Sequence, residues 1–129
     1  MIEALLARLK GDTTLAALLG VTPADSRIHP HSVEYPGPAI SYEYTDLTDD
    51  GIVNSQVTFR VTSPDYDLTA AIAKRVKSLL HVKANGSGWW YAGTTNILTC
   101  KLNGGGSLEM EDVGLYQRFL TFDVKWRDR

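Results

Sequence analysis

The sequence predicts an α+β fold: a twisted antiparallel sheet with helices packed on one face. Three observations predict it. Two short leucine-rich segments with helical spacing open the chain. A strand that runs straight into a longer helix occupies the middle, from Gln56 to Leu80. The second half alternates apolar with polar residues, the period of half-buried strands.

Ile2, Leu5, Leu6 and Leu9 recur at helical spacing, so a short amphipathic helix opens the chain and Gly11 ends it. Asp12 can cap a second short helix carrying Leu15, Leu18 and Leu19, closed by Gly20. From Thr22 to Pro38 the prolines at 23, 30, 36 and 38 forbid long regular structure, and Arg27-Ile28-His29 is a brief edge strand within it. Ile40, Tyr42 and Tyr44 then alternate with Ser41, Glu43 and Thr45, a strand. Asp46 to Gly51 is a polar connection with a turn signal at Asp50-Gly51. Val57, Phe59 and Val61 alternate with polar neighbours, and the two strands form a hairpin with a long tip.

Ser63 and Pro64 suit the start of the central helix, as cap and first helical residue. Asp65 and Asp67 near its start, and Lys74, Arg75 and Lys77 toward its end, oppose the helix dipole. Leu68, Ile72, Val76, Leu79 and Leu80 line one side. After the break Asn85 to Gly88 comes the cluster Trp89-Trp90-Tyr91. Ile97 to Leu102 is a strand with Leu98, Cys100 and Leu102 on one face. Asn103 to Ser107, with Gly104, Gly105 and Gly106, is a flexible loop, and Leu108 to Asp112 resumes a strand. The last strand places Tyr116, Leu120, Phe122, Val124 and Trp126 on one side, with Arg118 among them.

The totals bound the function. A chain of 129 residues suits a single domain, residues 1–129. A net charge of −2 and a pI near 5.9 argue against a general binder of nucleic acid or anionic membrane. One cysteine, Cys100, cannot form an internal disulfide, so the fold does not depend on an oxidising compartment. Met1-Ile2-Glu3 lacks the basic start of a signal peptide, and no long apolar run comes after it; a soluble cytoplasmic product is expected.

Residues with chemistry are few. His29 and His31 point the same way on an extended segment near Glu34, but zinc needs three or four ligands and His81 is far off in sequence; a polar loop accounts for them. Asp46, Asp49, Asp50 and Gly51 fail the spacing of a calcium loop and fit a solvated hairpin tip. Glu109 and Glu111, beside Asp112, share a strand face and point to water. Cys100 lacks a signature base and alternates with leucines, so it belongs to the core. The three glycines at 104–106 lack the Lys-Ser/Thr of a phosphate loop. The tryptophans could stack on bases but lack basic neighbours, so a core or subunit interface suits them better. No metal or cofactor is expected.

The opening Ile2-Glu3-Ala4-Leu5-Leu6 helix and the helix ending Leu18-Leu19-Gly20 are followed by Arg27-Ile28-His29-Pro30 and the strand start Pro38-Ala39-Ile40-Ser41-Tyr42. Val57-Thr58-Phe59-Arg60-Val61 then leads into the helix Leu68 to Leu80, and the strand Tyr116 to Trp126 closes the chain. In this arrangement nearly the whole chain resembles the tail-completion family of long-tailed, siphovirus-type bacteriophages and prophages, which are similar to tail-terminator proteins. His29 stands where relatives often carry an aromatic residue, and Trp89-Trp90-Tyr91 has no place in the family pattern.

The resemblance implies a structural subunit of the virion, made in the host cytoplasm, with no enzymatic activity, cofactor or catalytic residue. It implies a ring of identical copies, a hexamer, on the end of the tail tube. The ring stops tube polymerisation and docks to the neck of the head. The partners implied are the chain itself, the major tail-tube protein, a head-completion or neck protein, and DNA passing without sequence-specific contact; no membrane is involved. By length and composition, two loops are expected to reach neighbours: the hairpin tip Asp46 to Asn54, with Asp46, Asp49, Asp50, Gly51, Ile52 and Val53, and the segment Gly104 to Gly114, with Gly104, Gly105, Gly106, Glu111 and Asp112. Deleting Asp49 to Val53 is then expected to stop assembly and spare the fold. The competing readings are a small enzyme using Cys100 or an acidic pair, and a nucleic-acid binder using the tryptophans.

Overall fold

Helix α1, Ile2–Lys10, carries Glu3 in its first turn and Arg8 and Lys10 in its last, and buries Ile2, Ala4, Leu5, Leu6 and Leu9. It belongs to a computed structural model that describes residues 1–20, 28–30, 38–49, 51–81, 90–92, 95–110 and 114–128. Helix α2, Thr13–Leu19, starts at Asp12, whose carboxylate accepts from the Leu15 N–H at 2.8 Å. It ends at Gly20, which takes the left-handed φ of 75° that closes a helix without a Cβ clash.

Helix α3, Tyr66–Leu80, buries Thr69, Ile72, Ala73, Val76 and Leu80, with Leu68 and Leu79 packed at the margin. Its cap differs from expectation. Ser63 and Pro64 lie outside the helix, and Asp65 is the N-cap, accepting from Asp67 and Leu68 N–H at 2.9 and 3.3 Å. Ser63 Oγ instead accepts from the Asp65 N–H at 3.0 Å, bracing the approach. An ionised carboxylate makes charge-assisted bonds to free N–H groups, and the hydroxyl upstream is left to support it.

Asp12 does a second job. Arg75 of α3 grips its carboxylate with Nε and Nη2 at 2.8 and 2.6 Å, a two-pronged tie between α2 and α3. The Arg75 bond holds the Asp12 carboxyl below its usual value, against the opposing effect of burial. A lowered folded pKa contributes stability above the unfolded value, near 3.8, that is lost as pH falls through the folded one. Asp12→Ala is therefore expected to cost about 1 kcal/mol at pH 7 from the cap alone. The gap to wild type should narrow in melts run at pH values descending below 3.8, first as the carboxyl of the unfolded chain protonates and fully once the folded one does. On the other side, Arg8 Nε of α1 donates to the Leu79 carbonyl at 2.7 Å, near the end of α3.

The helices cover one face of a six-stranded sheet. Its strands are β1 (Ile28–Pro30), β2 (Ala39–Asp49), β3 (Val53–Ser63), β4 (Trp90–Ala92), β5 (Thr95–Met110) and β6 (Leu115–Asp128), in the order β1-β2-β3-β6-β5-β4. All pairs are antiparallel except β1 with β2. The brief edge strand expected around Ile28 is β1; Arg27 lies outside the described residues. The expected helix-and-sheet architecture is thus the observed one.

Strands β3 and β6 form the centre, pairing from Val53↔Trp126 to Ser63↔Tyr116. Val57, Phe59 and Val61 are fully buried, and Phe59 meets Phe122 edge to face with centroids 6.0 Å apart.

Strand β5 corrects two expectations. Asn103 to Ser107 is strand, not loop: β5 runs unbroken to Met110 and pairs Gly105↔Leu120 and Gly106↔Phe119. The register slips between Leu102 and Gly105, a bulge-type irregularity that glycine accommodates. A Cβ on Gly105 would stand 2.3 Å from the Phe119 carbonyl oxygen, so the glycine is set by close approach of two backbones. A second slip, between Ile97 and Thr99, turns the later residues of the strand to the opposite face. Ile97 and Cys100 both enter the core, while Leu98 is only half-buried and does not share their face.

Candidate functional site

Beyond Tyr42, strand β2 is an exposed flank of the sheet, still paired with β3. Ala39, Ile40 and Ser41 are buried, Tyr42 is half-buried against Phe59, and every residue from Glu43 to Asp49 is exposed. The expected polar connection from Asp46 is therefore strand as far as Asp49, which pairs with Val53. The hairpin is long with a short tip; its β3 half stays in the sheet, paired with β6 as far as Val53, and the outer half of β2 forms an exposed arm along its flank.

Side-chain bonds brace the arm on both faces. On the helix side, Trp126 Nε1 donates to Ser55 Oγ at 2.9 Å, and Ser55 Oγ donates to Asp46 Oδ1, linking β6, β3 and β2. On the other side Asn54 Nδ2 donates to Thr48 Oγ1 at 2.7 Å, and Arg60 pairs with Glu43 at 2.6 Å. At the tip Gly51, at a φ of 88°, donates its N–H to Asp49 Oδ1 at 3.3 Å. A bulge at Leu47 throws that side chain out of register.

The arm carries exposed apolar residues. Tyr44 is 49% exposed, Leu47 58% and Ile52 42%. Glu43, Asp46 and Asp49 share the same strand as Tyr44 and Leu47. Exposed apolar side chains close together in the chain and edged by charge mark an interaction surface. Of the residues expected there, Asp46, Asp49, Gly51 and Ile52 are on the arm, and Asp50 lies outside the described residues. Val53 is not available for contact: it is buried at the start of β3 and paired with Trp126. Deleting Asp49 to Val53 would therefore remove core along with the tip. The sequence reading missed Tyr44 and Leu47; the signal was two large apolar residues in a stretch otherwise acidic or hydroxylic.

The second expected segment divides. Gly104, Gly105 and Gly106 lie in β5, which β3 and β6 separate from β2 in the sheet, and Glu111 and Asp112 lie outside the described residues. So do His31, Glu34 and Trp89, which leaves those expectations untouched by geometry.

The open face of the sheet holds a shallow groove of about 490 Å³, with Gln56, Lys101, Asp123 and Lys125 on its walls. Its walls offer amides, hydroxyls and alternating charges, with no nucleophile set against a base. Cys100 is buried, and its thiol is pushed up to about 12 by burial, so it stays protonated at neutral pH. His81 ends α3, and its Nδ1 accepts from the Leu102 N–H at 3.1 Å. Among the described residues no helix is long and apolar enough to cross a membrane, and no three metal-ligating side chains gather.

No family model matches the chain, and no curated protein matches it. A solved structure does. A chain in the virion of a native gene transfer agent particle superposes with a TM-score of 0.64 at 16% identity. The match covers 95% of this chain and 90% of that one, so the shared fold runs essentially end to end.

Proposed function

We propose that this chain is a structural subunit of a phage-type virion that completes the tail. Copies form a ring, a hexamer, on the end of the tail tube, stop its polymerisation and dock to the neck of the head. The observation that carries the reading is the end-to-end fold match to a chain of the gene transfer agent virion. The family resemblance across Ile2–Leu6, Val57–Val61 and Tyr116–Trp126 supplies the position within the particle.

The geometry suits this work. A ring needs an interface between two different surfaces of the same chain, related by a rotation that closes. A stiff arm with exposed apolar side chains is such a surface, held in shape before contact, so little ordering cost falls on assembly. The partners are other copies of the chain, the major tail-tube protein and a head-completion protein. DNA passes without sequence-specific contact, and the chain works without cofactor or catalysis. The buried, protonated Cys100 offers the enzyme reading no support.

Electron microscopy of the purified protein, alone and mixed with tail tubes, tests the proposal. Rings of uniform diameter on tube ends, and tubes that stop growing once capped, are expected. Tubes that elongate unchanged and carry no density at their ends would refute it.

A further inference from the structure

We propose that the acidic β2 arm of one copy docks against the lysine side of α3 in the next. This rests on the ring reading and names both surfaces of its contact. From Pro38 to Phe59 the chain has no lysine or arginine, and Glu43, Asp46 and Asp49 stand exposed on the arm beside Tyr44 and Leu47. From Leu68 to Leu80 it has no acidic residue, and Lys74 and Lys77 are exposed. Among the described residues neither lysine makes an ion pair, whereas Arg75 between them is taken by Asp12. One chain thus carries both members of a complementary pair, which makes a second copy the natural occupant.

The fold sets the two surfaces on different flanks. Arg75 and the Leu79 carbonyl turn toward α2 and α1, where Asp12 and Arg8 bond them. At about 100° per residue, Lys74 and Lys77 fall on the other side of α3, in a stripe with Ala70. Helix α3 packs on β3, β6 and β5, and it lies in the connection from β3 to β5, which run parallel. In the right-handed crossover that such a connection takes, the lysine side of the helix faces the β5 flank. The arm lies on the β2 flank. The two surfaces of one copy point apart, and copies placed flank to flank bring each arm to the next copy's lysines.

The chemistries match in more than sign. A lysine stem is apolar along its length and charged at its end, so Tyr44 and Leu47 lie along the stems while the carboxylates meet the ammonium groups. The Tyr44 ring also offers its face to a cation. The half-buried Ala70 leaves room beside Lys74 for that ring. Each copy gives one arm and receives another, so the row of contacts ends only by closing.

Charge reversal on each side tests the contact. K74E/K77E, and separately E43K/D49K, should each move the midpoint of ring assembly to about tenfold higher concentration, read by sedimentation velocity or by electron microscopy of tube ends. All four substitutions in one chain should restore assembly. So should an equal mixture of the two variants, because reversed arms then meet reversed helices in alternation round a hexamer. Circular dichroism checks that each variant folds. If the arm variant does not, K74E/K77E decides alone, since its changes lie on an exposed helix face. Folded variants that assemble like wild type would overturn this contact and leave the ring standing. So would variants that fail and recover neither in the combined chain nor in the mixture, a result that gives the arm to the tube protein instead. Wild-type protein that never forms rings, alone or on tubes, would overturn the ring reading itself.

Discussion

Gly105→Ala is expected to lose about 3 kcal/mol of stability, the upper end of what overpacking costs, because the atom it meets is backbone. The new Cβ would stand 2.3 Å from the Phe119 carbonyl oxygen, a distance that no rotamer change relieves. Relief requires β5 and β6 to separate locally, in the pairing that joins Thr95 to Asp128 at one end and Met110 to Leu115 at the other. A loss of that size corresponds to a fall of roughly 10 °C in Tm for a chain of this length. Gly106→Ala is the control. Nothing lies within 4 Å of its Cβ position, so a change within about 0.5 kcal/mol is expected. Equal melting of the two variants would show that β5 does not approach β6 as described.

Replacing Tyr44, Leu47 and Ile52 together with threonine is expected to leave a folded chain that no longer assembles. The three side chains are 49%, 58% and 42% exposed, so the free chain loses little burial when they are cut back, and threonine keeps the strand preference. Covering the exposed half of each side chain on contact contributes about 1 kcal/mol, half the value for full burial. Where one contact covers all three, the loss is roughly a hundredfold in affinity. In the proposed ring that loss recurs at every junction. Sedimentation velocity should show wild-type rings, or rings on added tubes, at concentrations where the variant stays monomeric. A Tm within about 4 °C of wild type would confirm that the effect lies in assembly. Unchanged rings would remove the arm from the subunit contact.

The helices, their order and the central strand were legible in the sequence because their signals are local. Leu5 and Leu9, Ile72 and Val76, or Val57 and Phe59 declare a face by spacing alone, and Asp12 and Gly20 mark ends within one turn of chain. The arm was half legible. Its acidic, turn-prone composition located it at Asp46 to Asn54, but its stiffness comes from Trp126 reaching Ser55, a partner 71 residues away. Its extent comes from where burial by the rest of the chain ends, between Ser41 and Glu43. Neither is a property of the stretch itself. The glycines at 104–106 show the same division most plainly. Taken by composition they spell a loop, whereas in the fold one of them is the only residue small enough for the Phe119 carbonyl to pass. Local spacing thus determined which segments coil and which extend. Only the tertiary structure decided which edges, faces and side chains remain for a partner, because exposure depends on what the rest of the chain covers.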